Sequence, residues 1–174
     1  FFDKYNKLES FNNKSWKGIY IRNSKKTLFE NCIVQNVTEF RSYSKYFTSL
    51  TGGVNIYNSD ASFRNVIFKN FDAEDALNLI NSKGHLENIK IMNVRSDGID
   101  FDFSTGLINN VELNLIGGDG FDFSGSNFEM NNINIQNTKD KGISIGEASK
   151  IIAKNINISN SEIGIAVKDK SFLS

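Results

Sequence analysis

The chain has 174 residues, and twenty basic side chains balance twenty acidic ones. That balance excludes a global field that would gather nucleic acid or an anionic membrane, and no apolar run is long enough to enter a bilayer. Fifteen phenylalanines and a single cysteine exclude a disordered tract and an internal disulfide, so Cys32 is expected to be core packing.

Residues 1–16, "FFDKYNKLESFNNKSW", are aromatic and are expected to cap the N-terminal end of the domain. Next comes "KGIYIRNS", a short alternating run bounded by turn residues, which reads as a strand. Residues 37–53 form an inserted loop rich in rings and cations: Phe40, Arg41, Tyr43, Lys45, Tyr46 and Phe47. Loops that leave a regular scaffold often bind ligands, and a sugar-stacking wall or a plug over exposed core both fit this composition. "GGVNIYNS" then repeats the earlier strand pattern.

From here the chain is periodic. Leu77, Ile99, Phe121, Ile143 and Ile165 are each 22 residues apart, and each opens a short alternating run. Ala76, Gly98, Gly120, Gly142 and Gly164 precede them, and before those stand Asp75, Asp97, Asp119, Lys141 and Ile163. A second alternating run recurs in each unit, as in "LENIKIMN" and "MNNINIQN". Asparagine precedes it at 65, 88, 110, 132 and 155, and closes it at 36, 70, 93, 137 and 160. Asparagine tolerates left-handed backbone, so both columns are expected to be turn ladders. A unit this short, made only of strands and turns, buries its apolar face by stacking on its neighbours about 4.8 Å away. The expected fold is all-β: a single-stranded parallel β-helix of about six 22-residue coils, forming one domain over 1–174.

Alternation places Ile99, Phe101 and Phe103 inside and Asp100 and Asp102 outside, because buried carboxylates cost far more than buried phenylalanine. The outward column reads Tyr20, Asn55, Asn78, Asp100, Asp122, Ser144, Ala166, and Tyr57 and Lys168 lie beside it. Asp97, Asp100, Asp102, Asp119 and Asp122 therefore share one surface. Like charges at strand spacing need a cation, raised pKa values, Lys141 and Lys168, or plain solvent. Asp97, Asp100, Asp119 and Asp122 offer hard oxygen ligands suited to Ca²⁺, though no cofactor is certain. Solvated turn chemistry is the competing reading. His85 is the only histidine, at an expected turn after Gly84, so one chain cannot form a multi-histidine metal site or a Ser-His triad.

The successive motifs "RSDGID", "GGDGFDF", "DKGISIGE" and "GIAVKD", over roughly Arg95 to Asp169, resemble those of polygalacturonases. In that family NTDGID, GDDCIAI, GHGISIGS and RIK succeed one another on a right-handed parallel β-helix. The resemblance implies right-handed coiling and maps Asp97, Asp119 and Lys168 onto family site positions. Gly118 stands where the family has its general acid, Lys141 where it has histidine, and Ala166 where it has arginine. Inverting hydrolysis needs two carboxyl groups in separate roles, so these departures point away from it. The chain is also similar to the broader pectate-lyase-like superfamily and to β-helix regions of bacterial surface proteins. Lyase-like chemistry would need a neutral Lys141 as base beside Ca²⁺.

Three functions emerge as expectations. The first is a non-catalytic or catalytically degenerate module of a secreted, surface or periplasmic protein. It would engage polysaccharide or a surface protein through Asp100, Asp102, Asp122, Arg41, Tyr43, Tyr46 and Tyr57. The second is a lyase or hydrolase drawing on Asp97, Asp119, Lys141 and Lys168. The third is a structural spacer. No nucleic-acid partner and no membrane insertion are expected. Residues 165–174 read as an incomplete last coil without a second strand, so further coils or domains of the same protein are expected.

Overall fold

A computed structural model describes residues 6–10, 14–38 and 50–174. Its architecture results from the two alternating runs of each repeat. Numbered in chain order, the odd strands build one long-stranded sheet: β1 (Asn6–Leu8), β3 (Thr27–Thr38), β5 (Asp60–Asp72), β7 (Lys83–Val94), β9 (Thr105–Ile116), β11 (Asn127–Thr138), β13 (Lys150–Ser159) and β15 (Phe172–Leu173). The even strands build a short-stranded sheet: β2 (Ile19–Arg22), β4 (Gly52–Tyr57), β6 (Asp75–Ile80), β8 (Asp97–Asp102), β10 (Phe121–Ser124), β12 (Lys141–Gly146) and β14 (Ile163–Val167). Each strand pairs in parallel with its counterpart one coil away, so the seven even strands define about seven turns of a β-solenoid.

Register tracks the repeat. Leu77, Ile99, Phe121, Ile143 and Ile165 are direct partners in the short sheet. Ile99, Phe101, Phe121, Phe123, Ile143 and Ile145 are all buried, as the alternation predicts. Phe101 stacks on Phe123 with ring centroids 5.0 Å apart and planes 7° apart. The glycine column before them has a steric cause. A Cβ on Gly98 would meet the Gly120 carbonyl oxygen at 2.5 Å, and one on Gly120 would meet that of Gly142 at the same distance. Cys32 is buried, and burial pushes its thiol pKa up.

Both asparagine columns take the left-handed conformation, with φ between 53° and 59° at Asn65, Asn88, Asn110, Asn132 and Asn155 and at Asn36, Asn70, Asn93, Asn137 and Asn160. Their amides form ladders: Nδ2 of Asn88 donates to Oδ1 of Asn65 at 2.9 Å, and Nδ2 of Asn93 to Oδ1 of Asn70 at 2.9 Å. A third such column comes after the short sheet, where Asn81 donates to Asn58 and Asn58 to Asn23.

A serine ladder runs beside that third column. The N–H groups of Ser82, Ser104 and Ser126 donate to the hydroxyls of Ser104, Ser126 and Ser149 at 3.0, 2.9 and 2.9 Å. Each hydroxyl passes its own proton to a nearby carbonyl, as Ser104 does to Asp102 at 2.9 Å or Leu79 at 3.0 Å. These buried donors and acceptors are thereby satisfied where the coil turns.

Three expectations need correction. Phe103 does not join the inner column: it is 63% exposed, with φ of 49°. The strand ends at Asp102, and Phe103 occupies the left-handed column of Asn58 and Asn81, whose backbone turns its side chain outward. Its ring lies over Gly125, where a Cβ would meet it at 2.6 Å. His85 lies within β7, not at a turn, and is exposed. The last coil does have a second strand run, the two-residue β15 paired with β13. Phe103 and Leu115 (φ 59°) are large apolar residues in the left-handed region, and that conformation costs an L-residue about 1–2 kcal/mol.

Phe123→Ala is expected to cost about 3–5 kcal/mol through the cavity it leaves in the stack. Ser126→Ala is expected to cost about 1–3 kcal/mol by stranding a buried N–H. Phe103→Asn should lose almost nothing, because asparagine accepts the backbone that phenylalanine is forced into. Urea titration of the three variants checks the ranking, and a Phe103→Asn as damaging as Phe123→Ala would refute this assignment of faces.

Candidate functional site

The acidic residues lie on the outer face of β6, β8 and β10 and on the turn that enters these strands. Asn55, Asn78, Asp100, Asp122, Ser144 and Ala166 are consecutive register partners, as expected of the outward column. Outward does not mean exposed, however. Asn55, Asn78 and Ser144 are buried, while Asp100, Asp102 and Asp122 are half-buried. Strand neighbours one coil above and below shield each side chain in such a column.

The turn aspartates are tied to the next coil. Oδ1 of Asp97 accepts the Asp119 N–H at 2.8 Å and the Ser96 hydroxyl at 3.2 Å. Oδ1 of Asp119 accepts the Lys141 N–H at 2.9 Å and its Nζ at 3.2 Å. Nζ of Lys141 also reaches Asp140 at 2.6 Å. Gly118 packs against this carboxylate: a Cβ there would meet Oδ1 of Asp97 at 2.0 Å. Partial burial opposes the charge on Lys141, but the hydrogen bonds to Asp140 and Asp119 outweigh it, so its pKa lies above that of an ordinary lysine. A lysine held this way is a poor base at neutral pH.

The outward acids are pushed the opposite way from ordinary surface carboxylates. Burial raises Asp100 to about 9, helped by the charges of Asp75, Asp102, Asp122 and Asp97. Burial likewise raises Asp75 to about 7 and Asp97 to about 6, and it raises Asp102 and Asp122. At neutral pH Asp100 keeps its proton, so this carboxyl is polar and uncharged.

Asn78 is the centre of this arrangement. Its Nδ2 donates to Asp100 at 2.8 Å, to Thr51 at 3.1 Å and to Asp75 at 3.4 Å. Its Oδ1 is buried and has no hydrogen-bond partner. The Ser144 hydroxyl, two coils beyond Asp100 in the same column, has no hydrogen bond of regular geometry either. Buried polar atoms are rarely left in this state.

The remaining candidates are dispersed. Tyr57 is half-buried at the edge of the face, with the Arg22 guanidinium 5.5 Å from its ring centre. Lys168 lies beside Gly146, and its charge draws the Asp122 pKa down against burial. Arg41, Tyr43 and Tyr46 lie outside the described residues. The four aspartates suggested as Ca²⁺ ligands do not converge, and among the described residues no three carboxylate, imidazole or thiolate groups could hold a metal ion. Sequence reasoning misses Asp75 and Asn78 as site residues. Their signal is present, since both occupy the acid columns one coil before Asp97 and Asp100.

These coils define a parallel β-helix whose outer short-sheet face carries a buried polar column. Residues 75–174 match the family described as the right handed beta helix region, more than half of the chain, and the chain belongs to that family. No curated protein and no solved structure matches it.

The raised acids make a pH prediction. Between the ordinary aspartate pKa of about 3.9 and these raised values, the folded state holds protons that the unfolded state has released. Stability contributed by these groups is therefore fully present below pH 4 and falls as pH rises through 6, 7 and 9, the values of Asp97, Asp75 and Asp100. Asp100→Asn should flatten the upper part of that fall and raise Tm at pH 8. Thermal melts from pH 5 to 9 measure it, and an unchanged slope in the variant would contradict a protonated Asp100.

Proposed function

We propose that the chain is a non-catalytic β-helix module of a secreted or surface protein, and that it holds a polysaccharide along the outer face of its short sheet. The observation that carries this reading is the column Asn55–Asn78–Asp100–Asp122–Ser144. Its half-buried members, Asp100 and Asp122, present carboxyl groups one coil apart, about 4.8 Å, with Asp102 beside them. Such a line suits a linear polymer with hydroxyl groups at regular intervals. The Asn78 Oδ1 has no partner within the protein, and its Nδ2 positions Asp100.

A polysaccharide lyase or glycoside hydrolase is the second reading, favoured by the proton that Asp100 keeps. A glycosidase, however, needs two carboxyl groups whose pKa values are driven apart, one to give a proton and one to remain ionised. Here Asp97, raised to about 6, and Asp100, raised to about 9, do stand apart, but Asp97 is not free to act. Asp97 and Asp119 are engaged by backbone N–H groups, and Lys141 is held as a cation. That set supports binding over turnover. A spacer would need none of these unsatisfied groups.

Titration calorimetry against a panel of neutral and uronic polysaccharides tests the proposal. Binding should be seen at pH 6–7, with no release of reducing ends or unsaturated products. Asn78→Ala and Asp122→Ala should each weaken it roughly tenfold, about 1.4 kcal/mol. Affinity should also fall above pH 9, where Asp100 ionises. Turnover that Asp100→Asn abolishes would replace this reading with the enzymatic one. No binding to any polymer would leave the spacer.

A further inference from the structure

A groove of about 800 Å³ runs along the corner between the ends of the long strands and the starts of the short ones. We propose that this groove docks an extended acidic peptide, with one of its apolar side chains on Leu115 and an acidic side chain between Arg95 and Lys139. The outer face of the short sheet is not involved.

The first support is an irregularity in the corner ladder. Asn70, Asn93, Asn137 and Asn160 line the groove, and leucine replaces asparagine in the middle. Leu115 keeps the left-handed φ of 59° that asparagine tolerates and leucine does not, and its side chain is 56% exposed. A strained bulky residue aimed at solvent, where asparagine would fit without strain, is a feature expected of a functional surface. The substitution also breaks the amide chain. Asn137 donates to Asn114 at 2.8 Å, one residue aside. Oδ1 of Asn93 thus has no amide donor from the next coil.

The second support is charge. On the rung after the ladder stand Asp72, Arg95, Gly117 and Lys139 in successive coils. Nε of Arg95 pairs with Asp72 at 3.1 Å, whereas Lys139 has no ion pair among the described residues. Between the two cations stands Gly117, which carries no side chain and where a Cβ would meet the Arg95 carbonyl oxygen at 2.0 Å. Two strand spacings, about 9.6 Å, separate the cations, which leaves room for one carboxylate between them.

The occupant is set by these parts. Among the described residues the groove exposes an aliphatic knob and no aromatic platform, since Phe71 in its lining is buried. Sugar rings stack on aromatic faces, whereas an aliphatic side chain of a peptide packs on leucine. An extended peptide also brings N–H donors for the Asn93 carbonyl and alternates its side chains, which lets acidic and apolar groups share the groove.

The probe is a labelled, end-blocked peptide of alternating glutamate and leucine, measured by fluorescence anisotropy. It should bind, and added salt should weaken it. Lys139→Glu and Leu115→Asn should each reduce affinity at least about tenfold. Leu115→Asn restores the ladder, so its Tm should hold or rise, and lost binding cannot then be ascribed to unfolding. Asn78→Ala should leave the peptide affinity unchanged. The proposal is overturned if the peptide does not bind, or if it binds equally to both groove variants. It is also overturned if polygalacturonate binds with dependence on Lys139 but not on Leu115, which would assign the groove to an acidic glycan.

Discussion

Each position in this chain lies about one strand spacing from the same position in the next coil, and the structure depends on that constraint. A side chain in such a column must tolerate a near-copy of itself above and below. Phenylalanine does so by stacking, as Phe101 does on Phe123. Asparagine does so by using one amide face as donor and the other as acceptor, as along Asn65 and Asn88. Serine does so by accepting an N–H from one coil and giving its proton to a carbonyl. Each is self-complementary along the solenoid axis, and each occupies the corner or face where that property is needed.

An ionised carboxylate is not self-complementary, and the acid columns show what the protein does about it. Two solutions appear side by side. In the turn column the charge is met by hydrogen: Asp97 takes the Asp119 N–H, and Asp119 takes the Lys141 N–H and ammonium. In the face column the charge is suppressed, since burial and neighbouring acids leave Asp100 protonated at neutral pH. A protonated carboxyl is both donor and acceptor, much like an amide or a hydroxyl. That is why Asp100 can share a column with Asn78. The turn column weakens the catalytic reading, because Asp97 and Asp119 are already engaged by backbone N–H groups.

Much of this is legible from spacing. The 22-residue period places register partners correctly from Leu77 to Ile165, and it puts the aspartates on one face. The asparagine columns announce their ladders, because few residues accept left-handed backbone. Two things are harder to read. Alternation gives the face of a residue only while the strand lasts, so it assigns Phe103, one step beyond the end of β8, to the core, although that ring faces solvent. The serine ladder is spaced as regularly as the asparagines, at 59, 82, 104, 126 and 149, but serine is common in turns and its column carries no conformational signature. Burial of the outward column is hidden for another reason. It depends on the size of neighbours one coil away, which a period does not express.

The corner and the face differ in how they depart from the local rule. On the face the departures are electrostatic and shared by many residues, so each is explained by its neighbours. At the corner the departure is a single residue: Leu115 breaks an otherwise regular asparagine column and accepts a backbone it does not favour. With the residue 56% exposed, packing offsets that cost only in part. Sequences specify a fold when local preference and global architecture agree, and isolated disagreements concentrate where function overrides stability. Phe103 is a useful comparison. It is strained in the same way, but it continues the column of Asn58 and Asn81 at another corner, with its ring over Gly125. Leu115 lines the corner groove instead, where a docked side chain would cover its exposed part.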